Sequence, residues 1–214
     1  MGIQALVARD PDLALVYRWV GTPPFWARRP GFSTLIRIIL EQQVSLRSAQ
    51  AIFHRVAVHA GGVCPRRIEA LGIDGLRQLG VTRQKATYCH GLAWRILTGT
   101  LDLRSVARGS DQAGRSALAA VPGLGPWSID IYYLMALRRP DVWPHGDLAL
   151  ASALREVKKL RAHPSHLEQQ HIASRWSPWR SIAARMLWAH YLAGRNRLDA
   201  GGTRKPSRTR TGRT

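Results

Sequence analysis

Apolar residues recur along this chain at spacings of three and four, and alternation of apolar with polar residues never persists. A repeat near 3.6 residues places apolar side chains on one face of a helix, whereas a half-buried strand needs a repeat of two. The pattern therefore predicts an all-α fold of about ten helices with short loops. Asp12 to Trp19 forms the first helix, ending near Gly21-Thr22-Pro23-Pro24. Ser33 caps a helix to Gln43, with Leu35, Ile36, Ile39 and Leu40 on one face. Leu46 to His59 forms the next and stops at Gly61-Gly62. Short pieces follow around Ile68–Leu71 and Asp74–Leu79, and Thr82 caps a helix through Leu97. Further helices span Ser110–Ala120, Trp127–Leu137, Asp147–Leu160, Ser165–Trp176 and Pro178–Leu192. Trp19 and Trp94 are expected in the core, and Trp176 and Trp179 are expected to position the last helix.

The 214 residues suffice for one large domain or two small lobes. A formal charge of +19 speaks about partners: a polyanion, with nucleic acid first. No apolar run is long enough to cross a bilayer, no signal pattern opens the chain, and a cytoplasmic protein of bacterial, nucleoid-associated type is expected. Cys64 and Cys89 alone cannot supply a disulfide framework or a four-Cys metal site.

Two segments carry chemistry. In Val121-Pro122-Gly123-Leu124-Gly125-Pro126-Trp127, the glycines bring bare backbone close to a ligand, and their amides can form an anion nest. Pro126 suits the first turn of the following helix, whose start adds partial positive charge. Val121, Gly123, Leu124 and Gly125 can together grip a DNA phosphate without reading sequence; a plain link between two helices has the same composition. Downstream, Trp143-Pro144-His145-Gly146-Asp147-Leu148 sets a carboxylate ahead of an apolar helix. Asp147 fits an ordinary N-cap as well as a catalytic acid, and the two roles are compatible. His145 is more simply a solvent or phosphate contact than a base.

The phrase from Leu118 to Trp127 resembles the helix-hairpin-helix of the DNA glycosylase superfamily (HhH-GPD), with the alkylpurine or 3-methyladenine glycosylase II branch the best match. Ile38 to Ser45, Asp141 to Leu150, and Trp176 to Ser181 through Trp188 resemble further segments of that branch in the right order. The resemblance runs from about Phe32 to Leu192. It implies two helical lobes with an active-site cleft between them. Residues 32–137 would form a central lobe containing the helix-hairpin-helix at 110–137. Residues 1–31 with 138–200 would form the second, and 201–214 a basic disordered tail.

The activity implied is base-excision repair of double-stranded DNA. An alkylated purine is flipped out of the duplex and its N-glycosidic bond hydrolysed by a monomer that needs no cofactor. By resemblance Asp147 is the catalytic acid. A fixed carboxylate near C1′ stabilises the positive charge that bond cleavage puts on the sugar. Trp127 and Trp188 are the implied base pocket, with Tyr132 or Tyr133 as less supported contributors; an aromatic face attracts a cationic methylated purine. Gln43, and after it Gln42, are the wedge filling the gap in the stack, though both also read as a helix end. Trp127 stands where relatives that nick the backbone carry a Lys able to form a Schiff base, so an abasic site is expected as product. The four-Cys iron–sulfur spacing of some relatives is absent, so no cluster is expected. A monovalent Na or K ion on the backbone carbonyls of Ala119, Val121 and Leu124 is a further implication. The alternatives are a non-catalytic helix-hairpin-helix binding protein and a bifunctional glycosylase/lyase for oxidised bases.

Overall fold

The computed structural model describes residues 2–201; the expected basic tail from 202 onward lies outside the described residues. Among the described residues there are α-helices and one π-helical segment, with no strand. The helices are α1 Gly2–Arg9, α2 Pro11–Val20, α3 Phe32–Glu41, α4 Leu46–His59, α5 Pro65–Gln78 and α6 Arg83–Leu97. They continue as α7 Leu103–Arg108, α8 Asp111–Ala119, α9 Pro126–Ile131, α10 Leu148–Val157, α11 His166–Ser174 and α12 Arg180–Gly201. The π-helical segment Tyr132–Ala136 prolongs α9. The chain divides into two compact units: Phe25–Gly146, and the residues up to Pro24 together with those from Asp147 onward.

The contiguous unit is built around α3. Leu35, Ile36, Ile38, Ile39 and Leu40 are all buried, because α4, α6, α9 and the π segment pack around this helix. So wide an apolar face needs such enclosure, and Ser33 and Arg37 keep the remaining side of the helix polar. Ser33 is not its cap: the helix begins at Phe32 behind Gly31, which makes no side-chain capping bond. Gly31, at φ 131°, turns the chain into the helix one residue early. Elsewhere side chains cap the helices, Thr82 as expected. Ser45 accepts from the Ser48 N–H, Thr82 from Lys85 and Ser110 from Ala113. The two short pieces expected between residues 68 and 79 belong to α5, broken at Gly72 with φ 63°.

In the other unit α2 and α10 pack on α12, with α1 against α2 and α12. Its polar centre is Asp10, the N-cap of α2. That carboxylate accepts from the Asp12 and Leu13 N–H groups, from Trp176 Nε1 at 2.8 Å, and from Lys158 Nζ at 2.8 and 2.7 Å. Burial raises its pKa, but the bonds from Lys158, Trp176 and Leu13 outweigh burial and leave it below the ordinary value. Trp176 thus ties the segment before α12 to α2, and α11 carries a capping box of Ser165 and Glu168.

Two tryptophans expected inside are not. Trp19 is 38% exposed and Trp94 51%. On α2 the inward face is Leu13 and Val16; Trp19 lies edge-on to His190, with the Arg197 guanidinium over its ring. On α6 the inward residues are Ala86, Cys89, Leu92 and Ala93, and one step of helical rotation carries Trp94 out to solvent.

Candidate active site and nucleic-acid-binding hairpin

Helix α8 ends at Ala119, and the chain closes on itself at once. The Val121 N–H donates to Leu118 O at 3.0 Å and the Leu124 N–H to Val121 O at 3.1 Å. Val121 and Leu124 are buried, whereas Pro122, Gly125 and Pro126 are exposed. Two apolar pegs therefore fix the turn while its backbone faces water. Gly123 sits at φ 89°, and a Cβ there would collide with the Tyr88 ring. Glycine is required both for the dihedral and for the approach. Gly125 caps α9 without a side chain, and Pro126 opens the helix. No capping side chain competes for the first N–H groups of α9, which are the groups an anion would take.

Gln42 reaches this turn from the end of α3. Its Nε2 donates to Gly123 O and to Ser128 Oγ, both at 2.8 Å. The Gln42 side chain thus holds the hairpin, where its amide finds a carbonyl and a hydroxyl within reach. Gln43 differs. It is exposed, its backbone lies in the left-handed region at φ 54°, and exposed Val44 and Leu46 follow it. Lys85 closes the arrangement from α6. Its Nζ donates to Leu40 O at 2.8 Å and Gln42 O at 2.7 Å, satisfying carbonyls at the end of α3. Burial lowers its pKa.

Trp127 is half-buried on α9, just past the hairpin. Tyr132 is not open to a base. It is fully buried, its hydroxyl accepts from the Gly31 N–H at 3.0 Å, and burial raises its pKa. The π segment begins at this residue, with the Leu137 N–H bonding Tyr132 O across five residues. Tyr133 is buried as well, under the Arg115 guanidinium at 4.4 Å. Asp130, unnoticed in the sequence, is a buried acid on α9. It pairs with Arg115 at 2.6 Å and accepts the His145 N–H at 2.9 Å. A lone carboxylate within the apolar run Ser128-Ile129-Asp130-Ile131 was the available signal.

Asp147 and Trp188 belong to the other unit and meet there. Asp147 caps α10 by accepting the Leu150 N–H at 2.9 Å, and the same oxygen, Oδ1, accepts from Trp188 Nε1 at 3.2 Å. Both residues are 8% exposed. The cap and the indole fix the carboxylate in direction as well as position. Trp188, expected as a wall for the base, is a hydrogen-bond donor to this carboxylate. His145 is exposed, and Trp179 lies against Gly2, where it packs α12 on α1.

A family model described as HhH-GPD superfamily base excision DNA repair protein matches residues 36–178, more than half of the chain. The chain belongs to the HhH-GPD superfamily. It is 28% identical over 166 residues to YfjP of Bacillus subtilis, covering 73% of this chain and 58% of that one. It is 28% identical over 176 residues to DNA-3-methyladenine glycosylase 2 of Escherichia coli, covering 75% and 59%. The chain thus spans less than two thirds of either relative. The structure of Schizosaccharomyces pombe 3-methyladenine DNA glycosylase (Mag1) in complex with abasic DNA superposes with a TM-score of 0.81 at 23% identity. It covers 87% of this chain and 94% of that one, and shares the HhH-GPD fold.

Proposed function

We propose that this member of the superfamily is a DNA glycosylase that everts an alkylated purine of the 3-methyladenine type from double-stranded DNA and hydrolyses its N-glycosidic bond. The observation that carries this reading is the Asp147 carboxylate, buried and held at Oδ1 by both the Leu150 N–H and the Trp188 indole. An ionised group fixed before reaction stabilises charge that develops at a sugar C1′ without reorganisation during the step. It also orients or deprotonates the attacking water. A methylated purine is already cationic, so it departs readily once the sugar cation is stabilised.

The hairpin supplies the strand contact. Exposed backbone at Gly125 and the uncapped start of α9 suit a phosphate, and the net charge of +19 suits the polyanion. Gln43, exposed and left-handed, is the remaining wedge candidate, and Trp127 the remaining aromatic wall on the hairpin side. The carbonyls of Ala119, Val121 and Leu124 are a candidate seat for Na or K; that of Val121 already accepts the Leu124 N–H and keeps a second lone pair for an ion. Such an ion would add positive charge beside the phosphate and take no part in bond cleavage. Relatives named as DNA-3-methyladenine glycosylases support the substrate class.

The test is mass analysis of bases released from methylated duplex DNA. Release of methylated purine above an enzyme-free control, with the abasic strand left uncut, is expected. Absence of release with duplex binding retained would leave only a binding protein. A borohydride-trapped covalent adduct would replace hydrolysis with lyase chemistry, for which Trp127 offers no amine.

A further inference from the structure

The Gln43 loop and the hairpin are separated by some eighty positions in sequence, yet a short chain of hydrogen bonds ties them together. Lys85 Nζ donates to the backbone oxygens of Leu40 and Gln42. The Gln42 side chain then donates to the Gly123 carbonyl at the hairpin tip and to buried Ser128 Oγ on α9. Tyr88, one helical turn beyond Lys85 on α6, packs where a Gly123 side chain would stand. Helices α3, α6 and α9 thus converge on one tip through polar contacts that no exposed residue interrupts.

We infer that Lys85 and Gln42 form an internal latch that couples the Gln43 loop to the phosphate-gripping turn, so that the two move against a DNA duplex as one body. The inference rests on the proposed reading of loop and hairpin as DNA-facing, and makes Gln42 and Lys85 positioning residues that touch no DNA themselves. The chemistry is one-sided in a telling way. The Lys85 ammonium, in a protein rich in cations, is spent on two main-chain oxygens rather than turned toward a phosphate. The amide of Gln42 uses its donor end on the turn whose amides would face the strand. Burial disfavours a charged Lys85, as expected of a lysine kept for an internal task.

The experiment is a double-mutant cycle in binding, with wild type, Gln42→Ala, Gln43→Ala and the double variant on a duplex carrying a tetrahydrofuran abasic analogue. A flanking 2-aminopurine reports unstacking, and Kd is read at several salt concentrations. Each single substitution is expected to weaken binding roughly 10-fold, and the double no more than about 10-fold, because Gln43 without its latch is already misplaced. The slope of log Kd against log salt stays that of wild type, since no phosphate contact is lost. Lys85→Met breaks the latch from its other end and reproduces the loss, while Lys85→Arg, which keeps donors for both carbonyls, retains more affinity. Thermal melting accompanies each variant, so that a merely unfolded protein is recognised. Independent effects that multiply to roughly 100-fold in the double, wild-type binding by Gln42→Ala, or a salt slope lowered by about one on Lys85→Met would each overturn the latch. Should wild type release no base, the glycosylase reading falls, yet the cycle in Kd still decides the coupling.

Discussion

Asp147→Asn separates charge from architecture at the proposed acid. Asp147 Oδ1 accepts from the Leu150 N–H and from Trp188 Nε1, and an Asn carbonyl in that place accepts both. Asn caps helices as well as Asp does, so the fold should be unmoved to within about 0.5 kcal/mol. The negative charge goes. At about 4 Å from a developing sugar cation, with an effective dielectric near 20, a unit charge is worth roughly 4 kcal/mol, or close to three decades in rate. Asp147→Ala also removes the cap and the indole's acceptor, costing about 2 kcal/mol of stability and roughly 4–8 °C in Tm. The assay is single-turnover release of methylated purine at saturating enzyme, with melting curves and duplex Kd beside it. Asn should release base about 1,000-fold more slowly with unchanged Tm and Kd. Wild-type rates from Asn would refute the electrostatic role, and a Tm loss equal to that of Ala would refute the Oδ1 geometry.

Other outcomes follow from the same structure. The lowered pKa of Asp10 makes its contribution to stability full above the unfolded value of about 3.9 and lost as pH falls through the lower folded value. Asp10→Asn should therefore melt well below wild type at pH 7, by roughly 3 kcal/mol, with the gap narrowing below pH 4; a gap independent of pH would contradict it. Gly123→Ala meets both the positive φ and the Tyr88 ring, so duplex affinity should fall about tenfold, with partial recovery in Gly123→Ala/Tyr88→Ala. Thiol titration of the native protein should count Cys64 alone, because Cys89 is buried and its pKa is pushed up to about 12; unfolding in guanidinium should expose the second.

Much of the helical frame could be read from local pattern. Thr82 announces its helix because a cap and its N–H lie three residues apart, and Ser45, Ser110 and Ser165 cap theirs over the same short span. The hairpin and Asp147 were legible for the same reason, since glycine, proline and a capping acid act on their immediate neighbours. Helices α1 and α7 escaped: α7 buries only Val106, and α1 only Gly2 and Leu6, too few positions to establish a period. What joins distant segments left no trace in spacing. Asp10 finds Trp176 and Lys158, and Gln42 finds Gly123, through tertiary packing alone. Tyr132 came from the resemblance alone, and its full burial with the hydroxyl on the Gly31 N–H is a contact across about a hundred positions that spacing does not carry.

The division of the chain bears on the order in which a ribosome can finish it. Phe25–Gly146 is uninterrupted, so α4, α6, α9 and the π segment, which pack on α3, are all synthesised before Asp147. Helices α1 and α2 must wait for α10 and α12, against which they pack. The ribosome thus adds Asp147 only after every residue of α3 and of the Gly123 turn is already in the chain.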